Sequence, residues 1–210
     1  MTEDEAKAAL DVPRETLERL ERFVALLREA NGTQNLVSAA SLDEVWNRHI
    51  LDSAQLVRFA PSGTASWLDL GSGPGLPGLI VALLHQGPVT LIESRRLRVE
   101  FLQHAAAELG VNGRVEIIGT RLEAVPPRPF DVISARAFAP LGKLLDMATA
   151  FSTEDTRWVL PKGRNAQSEL EAVRASWQGA FRLEPSVTDS DASIIVAEGV
   201  RRKGRGKSVR

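Results

Sequence analysis

The apolar segment Trp67 to Leu70 runs directly into Gly71-Ser72-Gly73-Pro74-Gly75-Leu76-Pro77-Gly78, with Asp69 two residues ahead of the first glycine. Glycines at this density permit positive φ and let a ligand approach the backbone closely. A short strand that ends in such a turn and opens a helix begins a doubly wound sheet, in which ligands bind beyond the carboxyl ends of the strands. The spacing narrows the ligand. Counted from Gly71, a G-x-G-x-x-G dinucleotide fingerprint requires glycine where Leu76 stands. Pro74 and Pro77 also remove two amides that an anion would use.

The rest of the chain repeats the strand–helix alternation. Pro77 to Leu84 reads as a helix, Val89 to Ile92 as a strand, and Arg95 to Leu109 as a helix with Val99, Leu102, Ala106 and Leu109 on one face. Val115 to Ile118 and Val132 to Ser134 read as strands, Leu141 to Ala150 as a helix and Arg157 to Leu160 as a strand. Residues 165–177 read as a helix, then Phe181 to Val187 and Ser193 to Ala197 as two strands joined through Thr188-Asp189-Ser190-Asp191, which suits an antiparallel hairpin. The expected fold class is α/β: a Rossmann-like, mostly parallel seven-stranded sheet with helices on both faces.

Two helices precede the first strand. Residues 13–30 place Leu17, Leu20, Val24 and Leu27 on one face, with Pro13 in the first turn and Asn31-Gly32 at the end. A second helix begins near Ser41, which has capping-box spacing to Glu44, and its inner face carries Trp46, His49 and Ile50. The expected organisation is a helical extension over 1–60 packed on the core, a main domain over 61–200, and a tail over 201–210.

Charge is unevenly spread. The net charge is -1, but the last ten residues carry six basic groups and no acid, leaving -7 on residues 1–200. Such a tail either binds nucleic acid electrostatically or only solubilises the terminus. Cys is absent, which excludes disulfides, thiolate zinc sites and Cys nucleophiles. Met1 to Lys7 is acidic, unlike a signal peptide, and no apolar run approaches a membrane span, so a cytoplasmic location and no membrane partner are expected.

Asp69-x-Gly71-x-Gly73-x-Gly75 resembles motif I of class I S-adenosylmethionine-dependent methyltransferases, whose turn cradles the methionine end of the cofactor. Glu93 closes the second strand 22 residues after Gly71, where an acid can accept both ribose hydroxyls or merely charge a helix N-terminus. After the third strand, Leu122 can offer a backbone N–H and an apolar contact to adenine. Glu123 can accept from its exocyclic amine, or serve as a surface acid. The fourth strand ends in Ser134-Ala135-Arg136-Ala137-Phe138. The Asn/Asp-Pro-Pro-aromatic motif of amino-methyltransferases is missing there. Arg136 cannot act as a base, but it can bind a carboxylate or phosphate bidentately, or form a surface salt bridge.

Taken together, Asn35-Leu36-Val37-Ser38, Arg48-His49-Ile50-Leu51-Asp52-Ser53, the 69–78 turn, Arg121-Leu122-Glu123, Ala135-Arg136-Ala137-Phe138-Ala139 and Pro161-Lys162-Gly163 resemble the bacterial ribosomal RNA small subunit methyltransferase G (GidB) family. That family usually has Ser where Ala135 stands. The resemblance implies methylation of guanine N7 in 16S rRNA of the small ribosomal subunit, with S-adenosyl-L-methionine as donor and no metal. It implies cofactor contacts at Asp69, Gly71, Gly73, Gly75, Leu76, Glu93, Leu122, Glu123 and Arg136. No catalytic residue is certain; the positioning candidates are Asn35, Arg48, His49, Asp52 and Arg136. Candidates for RNA contact are Arg121, Phe138 and Lys162, with Trp46 a further stacking candidate or a core residue. Arg48 and Asp52 are also spaced to pair on one helix face, and His49 suits a buried core position.

The residues present suit that chemistry. Guanine N7 has an in-plane lone pair and no proton, so its attack on a methyl needs no general base, whereas methylation at pyrimidine C5 commonly needs the Cys this chain lacks. The product ring gains positive charge, so Arg136 belongs on the cofactor carboxylate or a phosphate and not at N7. Family likeness and the lack of a long apolar seam favour a monomer. The competing readings are a small-molecule methyltransferase of the same fold, a nicotinamide dehydrogenase, which Leu76 disfavours, and a non-enzymatic RNA-binding ribosome-assembly protein.

Overall fold

A computed structural model of the chain describes residues 1–204. Seven strands form one sheet in the order β3-β2-β1-β4-β5-β7-β6. They are β1 (Trp67–Leu70), β2 (Val89–Ile92), β3 (Val115–Ile118), β4 (Val132–Ala135), β5 (Arg157–Lys162), β6 (Trp177–Pro185) and β7 (Ser193–Arg202). The first five are mutually parallel, and β7 runs antiparallel to both β5 and β6. Lys162 at the end of β5 is in register with Ser193 at the start of β7, which brings the β6–β7 connection to the carboxyl edge of the parallel strands.

Parallel strands covered on both faces bury every side chain, and β1, β2 and β4 do so at all four positions. Trp67, Leu91, Val132 and Val159 face one core, shared with α2 (Arg14–Gln34), α5 (Gly78–Leu84) and α6 (Arg96–Glu108). Leu68, Leu70, Ile133 and Trp158 face the other, under α7 (Leu141–Ala148) and α8 (Ala166–Val173). Leu20, Phe23 and Leu27 of α2 are fully enclosed in the first core. Each contributes about 1.5–3 kcal/mol of burial, so the N-terminal helices are part of the core packing.

Several boundaries differ from those expected. A first helix, α1 (Glu3–Ala9), is capped by a reciprocal box between Thr2 and Glu5. α2 continues past Asn31-Gly32 and closes at Asn35, whose φ of 47° is left-handed. Ser38, and not Ser41, caps α3 (Ala39–Asp43), because its hydroxyl reaches the Ser41 amide at 3.2 Å. The chain then widens into a π-helical turn over Trp46–Leu51 and returns to one α turn, α4 (Asp52–Ala54). The helix expected over 165–177 stops at Val173, and β6 begins at Trp177, four residues earlier than expected. β7 runs on to Arg202, where Arg201 and Arg202 pair with Glu154 and Asp146. Those two residues are therefore strand, not tail. Residues 205–210 of the expected tail lie outside the described residues.

Candidate functional site

Gly71, Gly73 and Gly75 all adopt positive φ, at 65°, 54° and 85°. A Cβ on Gly75 would lie 2.5 Å from Leu79 Cδ1, so the turn can pack on α5 only with glycine there. The backbone closes through Gly75 and Leu76 amides donating to the Ser72 carbonyl at 2.8 and 3.2 Å, and Ser72 donates to Ile92 of β2 at 3.0 Å.

Asp69 is enclosed on the same side of the sheet as α5. Ser134, its register partner on β4, donates to Oδ1 at 2.7 Å, and the Gly78 amide donates to Oδ2 at 3.2 Å. Burial pushes its carboxyl up to about 6, against the lowering by these hydrogen bonds. With no exposed surface, the Asp69 side chain braces the turn from beneath. Gly75 and Leu76 are likewise interior, Leu76 being 2% exposed.

Glu93 sits at the end of β2 beside the turn. Its Oε2 accepts the Gly73 amide at 2.9 Å, and its Oε1 accepts Ser94 and Arg95 amides, both at 2.8 Å. Arg98 reaches to 3.9 Å from it, and lies 3.6 Å from where a Gly73 Cβ would stand. One strand further out, Leu122 is buried in a short 3-10 turn between exposed Arg121 and Glu123.

On the other side of the turn, a cavity of about 870 Å³ opens at the ends of β4, β5 and β7. Arg48, Asp52, Arg136, Phe138, Lys162 and Thr188 all line it. The Phe138 ring lies against Gly71, so closely that a Cβ there would be 2.5 Å from Cδ2. Ala137 makes this possible by adopting φ 50°, a left-handed conformation costing about 1–2 kcal/mol in a non-glycine residue. The far end of the loop is tied down. Lys162 donates to the Ala139 carbonyl at 3.2 Å and pairs with Glu169 at 2.9 Å, and Glu169 accepts the Leu141 amide at 2.7 Å. Lys162 therefore serves the loop first, with only 12% of its side chain exposed.

Arg136 points back into the N-terminal helices. Its Nη1 lies 3.1 Å from His49 Nδ1, 3.5 Å from the Arg48 carbonyl and 3.8 Å from Asp52 Oδ2. A guanidinium only donates, so Nδ1 holds the lone pair and the ring proton sits on Nε2. Burial, then the charges of Arg136 and Arg48, push His49 down to about 4, which keeps the ring neutral. Burial raises the Asp52 carboxyl, countered by Arg136 and by hydrogen bonds from Thr188 and Gln55. Trp46 is 3% exposed, a core residue stacked under Lys7 and not a free stacking surface. Asn35 is exposed at the end of α2 and does not line the cavity.

Four residues escaped the sequence reading: Arg98, Ser134, Gln55 and Thr188. Arg98 carried a local signal, a cation in the helix turn after Glu93. The other three act across register or long sequence separation, which no local pattern reports.

A parallel five-strand run extended by an antiparallel hairpin, with a glycine turn after β1 and an acid closing β2, defines the fold of S-adenosylmethionine-dependent methyltransferases. Solved structures agree at the level of fold: a ribosomal protein L11 methylase from Lactobacillus delbrueckii superposes with TM-score 0.56 at 19% identity, over 73% of this chain and 77% of that one. A TehB-like methyltransferase from Corynebacterium glutamicum gives 0.54 at 19% identity, over 70% and 87%. The chain belongs to the rRNA small subunit methyltransferase G (GidB) family, whose profile matches residues 16–192. Ribosomal RNA small subunit methyltransferase G of Rhizorhabdus wittichii is 51% identical, over 100% of this chain and 99% of its own length. That of Zymomonas mobilis is 49% identical, over 97% and 96%.

Proposed function

We propose that this chain methylates N7 of a guanine in 16S rRNA, using S-adenosyl-L-methionine. The observation that carries the reading is the adjacency of two half-sites. The glycine turn with Glu93 lies on one side of Phe138, and an open cavity holding Arg48, Arg136 and Lys162 lies on the other. Family membership supplies the acceptor class.

The residues fit the cofactor. Glycine at 71 and 73 lets backbone approach closely, and the Glu93 carboxylate beside Gly73 suits a ribose diol. Leu122 and Glu123, in the 3-10 turn after β3, suit an adenine. Arg136 lines the cavity but directly follows Ala135, the register partner of Leu70, so it also stands beside the turn and suits the amino-acid carboxylate. When bound, the cofactor supplies an electrophilic sulfonium methyl. The protein's task is to align N7 with that methyl, because a ring nitrogen with a free lone pair requires no base. Arg136 stays off N7, where a cation would oppose the positive charge the purine gains. Its pairing with Asp52 and His49 supports that placement.

The open cavity favours a macromolecular acceptor over a small molecule enclosed by a lid. We place the enzyme in the cytoplasm, acting as a monomer on the small subunit; no helix of the described residues is long and apolar enough to cross a membrane. Arg121, which is exposed, and Phe138, whose ring is half-buried against Gly71, remain the RNA-contact candidates. Transfer of labelled methyl to small subunits from cells lacking the modification tests the reading, with the label expected at guanine N7. Measurable cofactor binding without incorporation into rRNA sinks it.

A further inference from the structure

The β6–β7 connection, Ser186 to Ala192, is fastened to the π-helical turn, to α4 and to Gln55 just after it by side chains more than 130 residues away. Gln55 Nε2 donates to Ser186 Oγ at 3.1 Å, and Gln55 Oε1 accepts the Val187 amide at 3.0 Å. Thr188 Oγ1 donates to Asp52 Oδ1 at 2.9 Å, and Asn47 Nδ2 donates to the Thr188 carbonyl at 3.3 Å. A hairpin loop held only by its strands needs no such fastening. This one lines the cavity through Ser186, Thr188, Asp189 and Ser190, next to Lys162, whose strand partner Ser193 follows the loop.

We propose that this fastened hairpin is the wall that seats the acceptor purine, and that it is a specificity element of the enzyme. The proposal rests on the methyltransferase reading above. Asp52 sets the wall's position relative to the donor side: one carboxylate oxygen takes Thr188 while the other faces Arg136. The wall carries the exposed Asp189 carboxylate, whose Oδ1 accepts the Asp191 amide at 2.9 Å, and the exposed Ser190 hydroxyl. Those groups suit the N1–H and N2–H2 edge of guanine, which points away from N7. The Asp189 carboxylate, which only accepts, opposes the N1 acceptor of adenine. An acid beside a phosphate-rich ligand is electrostatically unfavourable unless it meets donors, which gives the test a sign.

Three variants decide it: Thr188→Val, Ser186→Ala and Asp189→Ala. Each is assayed for KM and kcat on unmodified small subunits, for cofactor Kd and for thermal midpoint. We expect KM to rise about five- to tenfold in each, the worth of one lost hydrogen bond in a desolvated site. Cofactor Kd should stay within about twofold and the midpoint near that of the wild type. Unchanged KM in all three overturns the wall, as does a parallel rise of KM and cofactor Kd, which would put the hairpin on the donor side. A lower KM in Asp189→Ala overturns it too, since Asp189 would then only repel phosphate. Should the Thr188 or Ser186 variant unfold, Asp189→Ala decides, because its exposed side chain does not bond the helices; its Oδ1 accepts the Asp191 amide at 2.9 Å within the loop. If the wild-type protein transfers no methyl to subunits, the functional reading itself falls and the wall with it; transfer by wild type with unchanged variants removes the wall alone.

Discussion

Arg136 Nη1 lies 3.1 Å from His49 Nδ1, so a cation from the end of β4 is aimed by a neutral histidine from the N-terminal helices. Asp52 balances the charge from 3.8 Å, and the Arg48 carbonyl adds a third partner. The guanidinium is therefore oriented before any ligand arrives, which lowers the ordering cost of binding one.

This geometry predicts a graded loss. Arg136→Ala should weaken S-adenosylhomocysteine binding by roughly tenfold or more, the worth of a charge-assisted hydrogen bond. Arg136→Lys should recover little, since an ammonium lacks the planar fork. His49→Ala should cost less than Arg136→Ala, and His49→Gln should restore part of it by keeping an acceptor in reach. Calorimetric titration checks the series; equal affinity in Arg136→Ala and wild type would remove Arg136 from the donor side.

At the end of β2, Glu93 gathers three backbone amides around one carboxylate. Glu93→Gln replaces one acceptor oxygen by a donor that must face an amide. Cofactor affinity should fall about ten- to a hundredfold, measured by the same titration, with the fold retained by circular dichroism.

Gly75→Ala should destabilise the protein by about 2–4 kcal/mol, because a left-handed conformation and a 2.5 Å approach to Leu79 act together. Gly110→Ala is the control: φ is 64°, but nothing stands within 4 Å of the added methyl, so only the backbone cost of about 1–2 kcal/mol remains. Urea denaturation of both separates packing from backbone strain. Equal losses would mean that Leu79 simply moves aside.

Two buried groups should oppose each other in acid. His49 titrates near 4 in the folded chain and near 6.5 unfolded, so its stability contribution is full above 6.5 and is lost as pH falls toward 4. Asp69 titrates near 6 folded and 3.8 unfolded, so it penalises folding above 6 and relieves that penalty as pH falls toward 3.8. Relative to wild type, His49→Gln should therefore gain stability on acidification from pH 6.5 to 4, and Asp69→Asn should lose it. Denaturant midpoints measured across that range test both; curves parallel to wild type would show that neither group is perturbed.

Much of the fold was legible because local chemistry carries it. The apolar runs of β1, β2 and β4, the helical spacing of α2 and α6, and the glycine turn each announce themselves within a dozen residues. The misplaced boundaries have local causes too. Ser38 outcompeted Ser41 as a cap by reaching its amide, and Trp177 joined β6 because its indole fits the core beneath α8. At Asp69 the sequence shows the acid but not its depth.

The sequence alone determined the parallel sheet, the position of the turn and the acid that closes β2, since strand period and glycine φ are properties of neighbouring residues. Only the tertiary structure decided which side chains share a site. Ser134 reaches Asp69 through strand register, His49 and Asp52 meet Arg136 because α2 and its successors pack on the sheet, and Thr188 reaches Asp52 because β7 runs back antiparallel. Those encounters depend on distances through space between residues far apart in the chain, and chain order does not encode them locally.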